Sequence, residues 1–343
     1  MTVLVVAAAL VAFCLLVKVQ GRIILWLLLL LWAVTVLAHA LLPQEHPLPR
    51  ALGGDLKAWA SLGIAVGMVL GYRAILRLAR AKAVPVPPPE PVGPFSSGEL
   101  DRYARHIVLH EIGGMGQRKM KAAKVLVVGA GGLGSPSLLY LAAAGIGTIG
   151  VIDDDTVSNS NLQRQIIHAD ARIGMPKVFS AEAAMKALNP YVVVQPYNRR
   201  LTAEDAEALF RDYDLILDGS DNFDTRDLVN AAAVQAKKPL ISAAISQWEG
   251  QIGLYDPARD TPCYACVFPE RPAAGLAPSC AEAGVMGALP GVVGAMMAVE
   301  AIKEITGAGE TLRGRLMIYD ALYGEVRLFT VRRDPACKVC GGH

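Results

Sequence analysis

Residues 125–165 hold this chain to one local arrangement. Val125 to Val128 is an apolar, mostly β-branched run too short for a helix, as a buried parallel strand requires. The glycine loop Gly129-Ala130-Gly131-Gly132-Leu133-Gly134 comes next, then an alanine-rich helix opening near Ser135-Pro136 and stopped by Gly145. Ile149 to Ile152 reads as the next strand, and Asp153 lies nineteen residues beyond Gly134. Glycines let the chain turn tightly and let backbone N–H groups approach a phosphate at the positive end of a helix. A carboxylate at that offset suits a ribose hydroxyl. Up to Asp153 the pattern fits NAD as well as ATP.

The residues beyond Asp153 separate the two. Hydride transfer develops little charge on the phosphates, whereas in-line attack on phosphorus spreads negative charge over its oxygens and calls for fixed cations and usually Mg²⁺. Arg164 lies after the second strand, Lys177 opens an expected helix from Lys177 to Leu188, and Asp221-Asn222 lie after a strand from Leu215 to Leu217. Taken singly, Arg164 and Lys177 read as solvated charges and Asp221 as a cap for a helix beginning near Asp224. Their joint placement after successive strand ends reads as a site.

Several stretches together carry a resemblance. They are Tyr103-Ala104-Arg105-His106, Val128 to Ser135, Asp153-Asp154-Asp155, Ser160-Asn161-Leu162-Gln163-Arg164-Gln165, Pro176-Lys177, Asp218-Gly219-Ser220-Asp221-Asn222, and Cys280-Ala281-Glu282-Ala283-Gly284-Val285. From about Tyr103 to Cys340 the chain resembles the ubiquitin-activating-enzyme-like adenylyltransferases, in particular the MoeB, ThiF and HesA group. The resemblance implies ATP over the glycine loop, against Gly132 and with its ribose on Asp153. It further implies that Asp155, Ser160, Asn161, Arg164 and Lys177 serve the nucleotide, and that Asp221 holds Mg²⁺ beside Asn222. Arg105 matches an arginine that such enzymes contribute to a neighbouring subunit's site, which implies a homodimer. The implied reaction is attack by the C-terminal glycine carboxylate of a ubiquitin-like sulfur-carrier protein ending in Gly-Gly on the ATP α-phosphate. Ser220 stands where threonine is common in the family, and keeps the hydroxyl.

The six cysteines partition cleanly. Cys263-x-x-Cys266 and Cys337-x-x-Cys340 suit a closed four-thiolate zinc site, structural because no coordination position stays open. The alternative, two disulfides, fits poorly in an ATP-consuming, reducing compartment. Cys280 lies in a stretch rich in Gly, Pro and Ala between Phe268 and Pro290, which reads as a mobile loop. Its thiol could attack an acyl-adenylate or join persulfide exchange; the plain alternative is a small buried hydrophobe. Cys14 sits in an N-terminal apolar run.

That N-terminal region is of another kind. Ile23 to Leu42 is twenty residues without a charge, about 30 Å of helix and a membrane span. Val3 to Val17 and a third run from Ala58, over residues 58–76, are shorter apolar stretches. A signal peptide fits poorly, since no basic residue precedes the first run and no small-x-small site comes after it. Lys18 and Arg22 lie between the first two runs, and Arg73, Arg77, Arg80 and Lys82 lie at the end of the third. By the positive-inside rule both basic segments face the cytoplasm. Three spans then place the catalytic domain at the cytoplasmic face; two spans, with the first run at the interface, are read as setting the residues after the third run on the wrong side. Gly63, Gly67 and Gly71 recur every four residues and could bring two helices close.

The expected organisation is a transmembrane anchor over 1–82, a proline-rich linker over 83–98 with six prolines between Pro85 and Pro94, and an adenylyltransferase domain over 99–343. Ser96-x-x-Glu99 reads as a capping box opening the helix of Arg105. The fold class is α/β: a doubly wound, mostly parallel Rossmann-like sheet with an antiparallel C-terminal extension, preceded by transmembrane helices. Further strands are expected at Val192 to Val194, Leu240 to Ser242, Gln251 to Tyr255, Leu316 to Tyr319 and Val326 to Val331, and a helix at Gly291 to Ile305. The 53% hydrophobic content is explained by the N-terminal runs; the net charge of +2 is uninformative, and no basic patch with interleaved aromatics suggests nucleic acid. A nicotinamide oxidoreductase and a non-catalytic membrane scaffold are the readings that compete with adenylation.

Overall fold

The computed structural model describes residues 2–17, 21–43, 45–82, 93–271 and 283–341. The chain divides into two compact units, Met1–Pro89 and Glu90–His343.

The first unit is helical: α1 (Thr2–Leu16), α2 (Gly21–Leu41), the short α3 (Pro47–Leu52) and α4 (Leu56–Lys82). Three spans are expected from the sequence, but only two stretches among the described residues, Ile23–Leu41 and Leu56–Leu78, are long and apolar enough to cross a membrane. At fifteen residues α1 is about 22 Å long, short of a bilayer's ~30 Å apolar core. The two long stretches are 11% and 0% buried, so they are not the core of a soluble bundle. Gly63 does allow a close approach, but within the unit: a Cβ there would lie 2.1 Å from the Trp32 ring of α2. Gly67 and Gly71 face open space.

The second unit opens as its capping box predicts. Ser96 N–H donates to Glu99 Oε2 at 2.8 Å and Glu99 N–H to Ser96 Oγ at 3.2 Å, starting α5 (Ser97–Ile107). Burial alone would raise the Glu99 carboxyl, but Lys121 and the Ser96 N–H outweigh it and hold it below the usual carboxylate range. After α6 (Gly113–Ala122), strands and helices alternate: β1 (Lys124–Val128), α7 (Gly134–Ala144), β2 (Thr148–Ile152), α8 (Lys177–Leu188), β3 (Val193–Tyr197), α9 (Ala203–Arg211), β4 (Leu215–Asp218), α10 (Phe223–Ala236) and β5 (Leu240–Ile245). Then come β6 (Glu249–Tyr255), a single turn α11 (Tyr264–Val267), α12 (Leu289–Thr306), β7 (Arg315–Asp320) and β8 (Glu325–Thr330).

Among the described residues, eight strands join one sheet in the order β3-β2-β1-β4-β5-β6-β7-β8. Pairing is parallel from β3 to β5 and antiparallel from β5 to β8. Successive side chains of a strand point to opposite faces, and β1 shows the result. Val125 and Val127 join a core with residues of α7, α8 and α12, while Leu126 and Val128 join a second core with residues of α9 and α10. Order reverses between β1 and β4: the chain steps outward from β1 to β2 and then β3, and the crossover from β3 returns past β1 to β4. Such a switch point opens a crevice at the strands' carboxyl ends.

Candidate functional site

A cavity of about 980 Å³ occupies that crevice. The glycine loop forms its floor. Gly134 admits no side chain, because a Cβ there would lie 1.9 Å from the Gly129 carbonyl oxygen. This close approach seats the start of α7 directly on the loop, with Gly131 and Gly132 on the cavity wall. Gly145 in turn ends α7 in a left-handed conformation, φ 84°, as its position predicts.

Asp153, at the end of β2, lines the cavity and accepts from Ala130 N–H at 2.8 Å and Asp155 N–H at 2.9 Å. Lys177 opens α8 with its ammonium almost wholly buried, paired with Asp155 Oδ2 at 2.7 Å. Arg164 donates to the Ser160 carbonyl at 3.2 Å and to Asn161 Oδ1 at 3.3 Å. Arg164, Lys177, Asp153 and Asp155 thus line one wall.

Across the crevice, Asp221 and Asn222 leave the end of β4. The residue that caps α10 is Asn222, whose side-chain oxygen accepts from Thr225 N–H at 2.9 Å; Asp221 stays exposed and takes no part in the cap. Their loop rests on a buried network that sequence reading missed. Asp218 accepts from Ser220 N–H at 2.9 Å and from Ser242 Oγ at 2.8 Å, and Arg226 donates to the Ser220 carbonyl at 2.6 Å. His168 was missed as well. Its Nε2 donates to the Ala130 carbonyl and its Nδ1 accepts from Ser180 Oγ, each at 3.0 Å, which ties the glycine loop to α8. Burial, against the pull of that carbonyl, keeps its pKa below the usual histidine range, so the neutral ring is favoured.

The expected set is not all in one place. Ser160 and Asn161 lie off the cavity wall and reach it through Arg164. Arg105 is exposed on α5 and does not line its own chain's cavity. Cys280 and most of the linker lie outside the described residues. Arg199 and Arg200 after β3, and Arg271, held by Asp224 and Asp227, line the cavity too, although no motif marks them.

The four knuckle cysteines do converge. Sγ separations of 3.8 Å (Cys263–Cys266), 3.6 Å (Cys263–Cys337) and 3.4 Å (Cys266–Cys340) are far too long for disulfides. Sulfurs about 2.3 Å from a tetrahedral zinc lie about 3.8 Å apart, so the cluster fits that ion. Burial opposes ionisation of Cys337, but backbone N–H groups of Cys340 and Val339 draw its thiol down to about 7. Burial pushes Cys263 and Cys266 up.

Comparison with known proteins agrees with this geometry. The ThiF family matches residues 103–339. The chain is 51% identical over 251 residues to a sulfur carrier protein adenylyltransferase of Thermus thermophilus, covering 72% of this chain and 93% of that one. It is 50% identical over 252 residues to the probable adenylyltransferase/sulfurtransferase MoeZ of Mycobacterium tuberculosis, covering 72% of this chain but 64% of that longer one. Among solved structures, E. coli MccB crystallised with ATP superposes with a TM-score of 0.61 at 26% identity, over 70% of this chain and 75% of MccB. The glycine loop, the two-sided sheet and the paired cysteine knuckles are accounted for together: the chain belongs to the ThiF family.

Proposed function

We propose that this chain adenylates the C-terminal glycine carboxylate of a ubiquitin-like sulfur-carrier protein ending in Gly-Gly. The observation that carries the reading is the convergence of the glycine loop, Asp153, Arg164, Lys177 and Asp221 on one cavity. An NAD-type crevice has no need of cations at both Arg164 and Lys177 beside the phosphate loop. The names of the T. thermophilus and M. tuberculosis relatives support the same activity.

Each residue has a task set by its place. Loop N–H groups and the α7 N-terminus would cradle phosphate oxygens, and Asp153 would take the ribose. Arg164 and Lys177 would bear on the charge that builds as the carboxylate oxygen bonds to the α-phosphorus and pyrophosphate departs. Asp155 pairs with the buried Lys177 and aims it. Asp221, free of capping duty, would hold Mg²⁺, which when bound neutralises phosphate charge. Zinc on the four cysteines would be structural, and Cys280 would be a candidate for a covalent transfer step.

Arg105, exposed and away from its own cavity, supports a homodimer in which it serves the neighbouring site. The helices α2 and α4 support a membrane anchor. Two crossings suffice: they return the chain to its starting side, so Lys18 and Arg22 share a side with Arg77, Arg80 and Lys82. The objection to two spans raised from the sequence therefore fails, and the positive-inside rule still sets the catalytic unit in the cytoplasm.

The test is ATP–pyrophosphate exchange with a small carrier protein ending in Gly-Gly. Exchange is expected only with that carrier and is lost in Asp221→Ala; exchange that persists in the variant refutes the site assignment. For the anchor, full-length protein is expected to float with vesicles after carbonate washing, and release into the wash refutes it.

A further inference from the structure

The cysteine knuckle and the Asp221 loop are far apart in sequence, yet one side chain touches both neighbourhoods. Tyr264 sits between Cys263 and Cys266 on α11, and its backbone N–H donates to Asn230 Oδ1 at 2.9 Å. The same Asn230 presents its Nδ2 to Cys263 Sγ at 3.7 Å. The Tyr264 ring is 5% exposed, lines the nucleotide cavity and lies 5.6 Å from the Arg226 guanidinium. Arg226 in turn grips the carbonyl of Ser220, the residue before Asp221.

We infer that Tyr264 and Arg226 are positioning residues for Asp221, and that metal on the cysteine cluster is felt there through them. The physical basis is the bracing of a charged lever. Arg226 is buried and shared among Asp218, Ser242, the Ala243 carbonyl and the Ser220 carbonyl. Those partners hold the edges of its fork, and the Tyr264 ring 5.6 Å away lies over the guanidinium and limits how the fork can tilt on the Ser220 carbonyl. The ring's own place is set by a one-turn helix of four residues, too short to be stable alone. Four sulfurs gathered on one ion would fix the orientation of that turn; without the ion it keeps Asn230 and the packing of Tyr264, Val267 and Phe268 on the second core, but the two cysteine pairs are no longer tied to each other. Coupling between two sites is reciprocal, so occupancy of the Asp221 site also steadies the knuckle.

The proposal rests on Asp221 serving Mg²⁺ in the proposed adenylation. Its test uses full-length protein and compares Tyr264→Leu with Tyr264→Phe, which keeps the ring. In Tyr264→Leu, with zinc still bound at one per chain, the Mg²⁺ concentration for half-maximal binding of a non-hydrolysable ATP analogue is expected to rise about tenfold, while binding of the analogue without Mg²⁺ stays unchanged. Tyr264→Phe, which loses only the hydroxyl facing Arg226, is expected to shift that Mg²⁺ concentration far less than Tyr264→Leu does. Removing zinc from the wild type with a chelator is expected to give the same rise, and removing it from Tyr264→Leu to add nothing further, since the two act along one line. An unaltered Mg²⁺ dependence in Tyr264→Leu overturns the inference, as do zinc loss and Tyr264→Leu effects that multiply. Should the chelated protein unfold by circular dichroism, the two zinc-loaded variants decide alone. Failure of the wild type to bind the analogue at all refutes the nucleotide reading itself.

Discussion

Lys177 is a buried ammonium whose visible partner is a carboxylate that is itself two-thirds exposed, so Asp155→Asn is an informative perturbation. At 2.7 Å and an effective dielectric near 20 the pair's Coulomb energy is roughly 6 kcal/mol. Solvent reaches Asp155 freely, with its side chain 66% exposed, and cuts the loss to about 2 kcal/mol, between surface and buried pairs. For a domain of this size that lowers the thermal midpoint by about 4–8 °C. A triphosphate beside Lys177 would supply the missing anion. ATP would then restore what the substitution removes, and by linkage would bind Asp155→Asn up to about 30-fold more tightly than wild type. Removing any acid near the phosphates helps an anion bind, so Asp154→Asn is the control: it deletes the adjacent charge on the same wall without touching Lys177. Calorimetric titration with ATP and thermal unfolding with and without ATP read both quantities. The reasoning is refuted if Asp155→Asn melts with the wild type, or if its gain in ATP affinity is no greater than that of Asp154→Asn.

His168 is held neutral by burial, so its folded pKa lies below the unfolded value of about 6.5; its contribution is complete above that value and lost as pH falls through the folded pKa. Thermal melts of the wild type from pH 7 to 5 are expected to fall more steeply than those of His168→Gln, and parallel curves would sink the assignment. Gly134→Ala forces a Cβ against the Gly129 carbonyl and is expected to abolish nucleotide binding at a cost of at least about 2 kcal/mol in stability; retained ATP affinity by calorimetry would show that the loop can yield. Ser96→Ala removes a cap worth about 1 kcal/mol, and hydrogen exchange is expected to quicken in α5 but not in α7; equal exchange in both would mean that the capping box does not anchor the segment bearing Arg105.

The parallel half of the sheet is legible in the sequence because its signals are local. Short apolar β-branched runs, the glycine loop and the Ser96-x-x-Glu99 box each specify their own geometry within a few residues, and each appears where expected. The antiparallel strands can be placed for the same reason. What escapes are buried polar groups whose partners arrive from other strands. Asp218, Arg226 and Ser242 meet only after β4, α10 and β5 have assembled, and nothing near Arg226 in the sequence separates it from a surface arginine. His168 is one residue in a turn until α8 folds across it. Asn222 shows the converse: its place beside Asp221 reads as a nucleotide contact, and on the cavity wall its side-chain oxygen has a second task, capping α10, that its neighbours in sequence do not reveal. In the helical unit, counting apolar residues cannot say that Trp32 lies against Gly63, because that is decided by which helix packs beside it.

The two cysteine pairs bracket the segment from Cys266 to Cys337, which contains α12, β7 and β8. During synthesis the residues of the parallel sheet and its glycine loop all emerge before Cys337 and Cys340, so the nucleotide crevice can form first and the C-terminal segment would be fastened last, by an ion those residues would capture. Zinc starvation would accordingly leave an intact α/β core whose final strands are open to proteases. Cellular metal supply would then govern how long the protein survives, rather than whether its core folds.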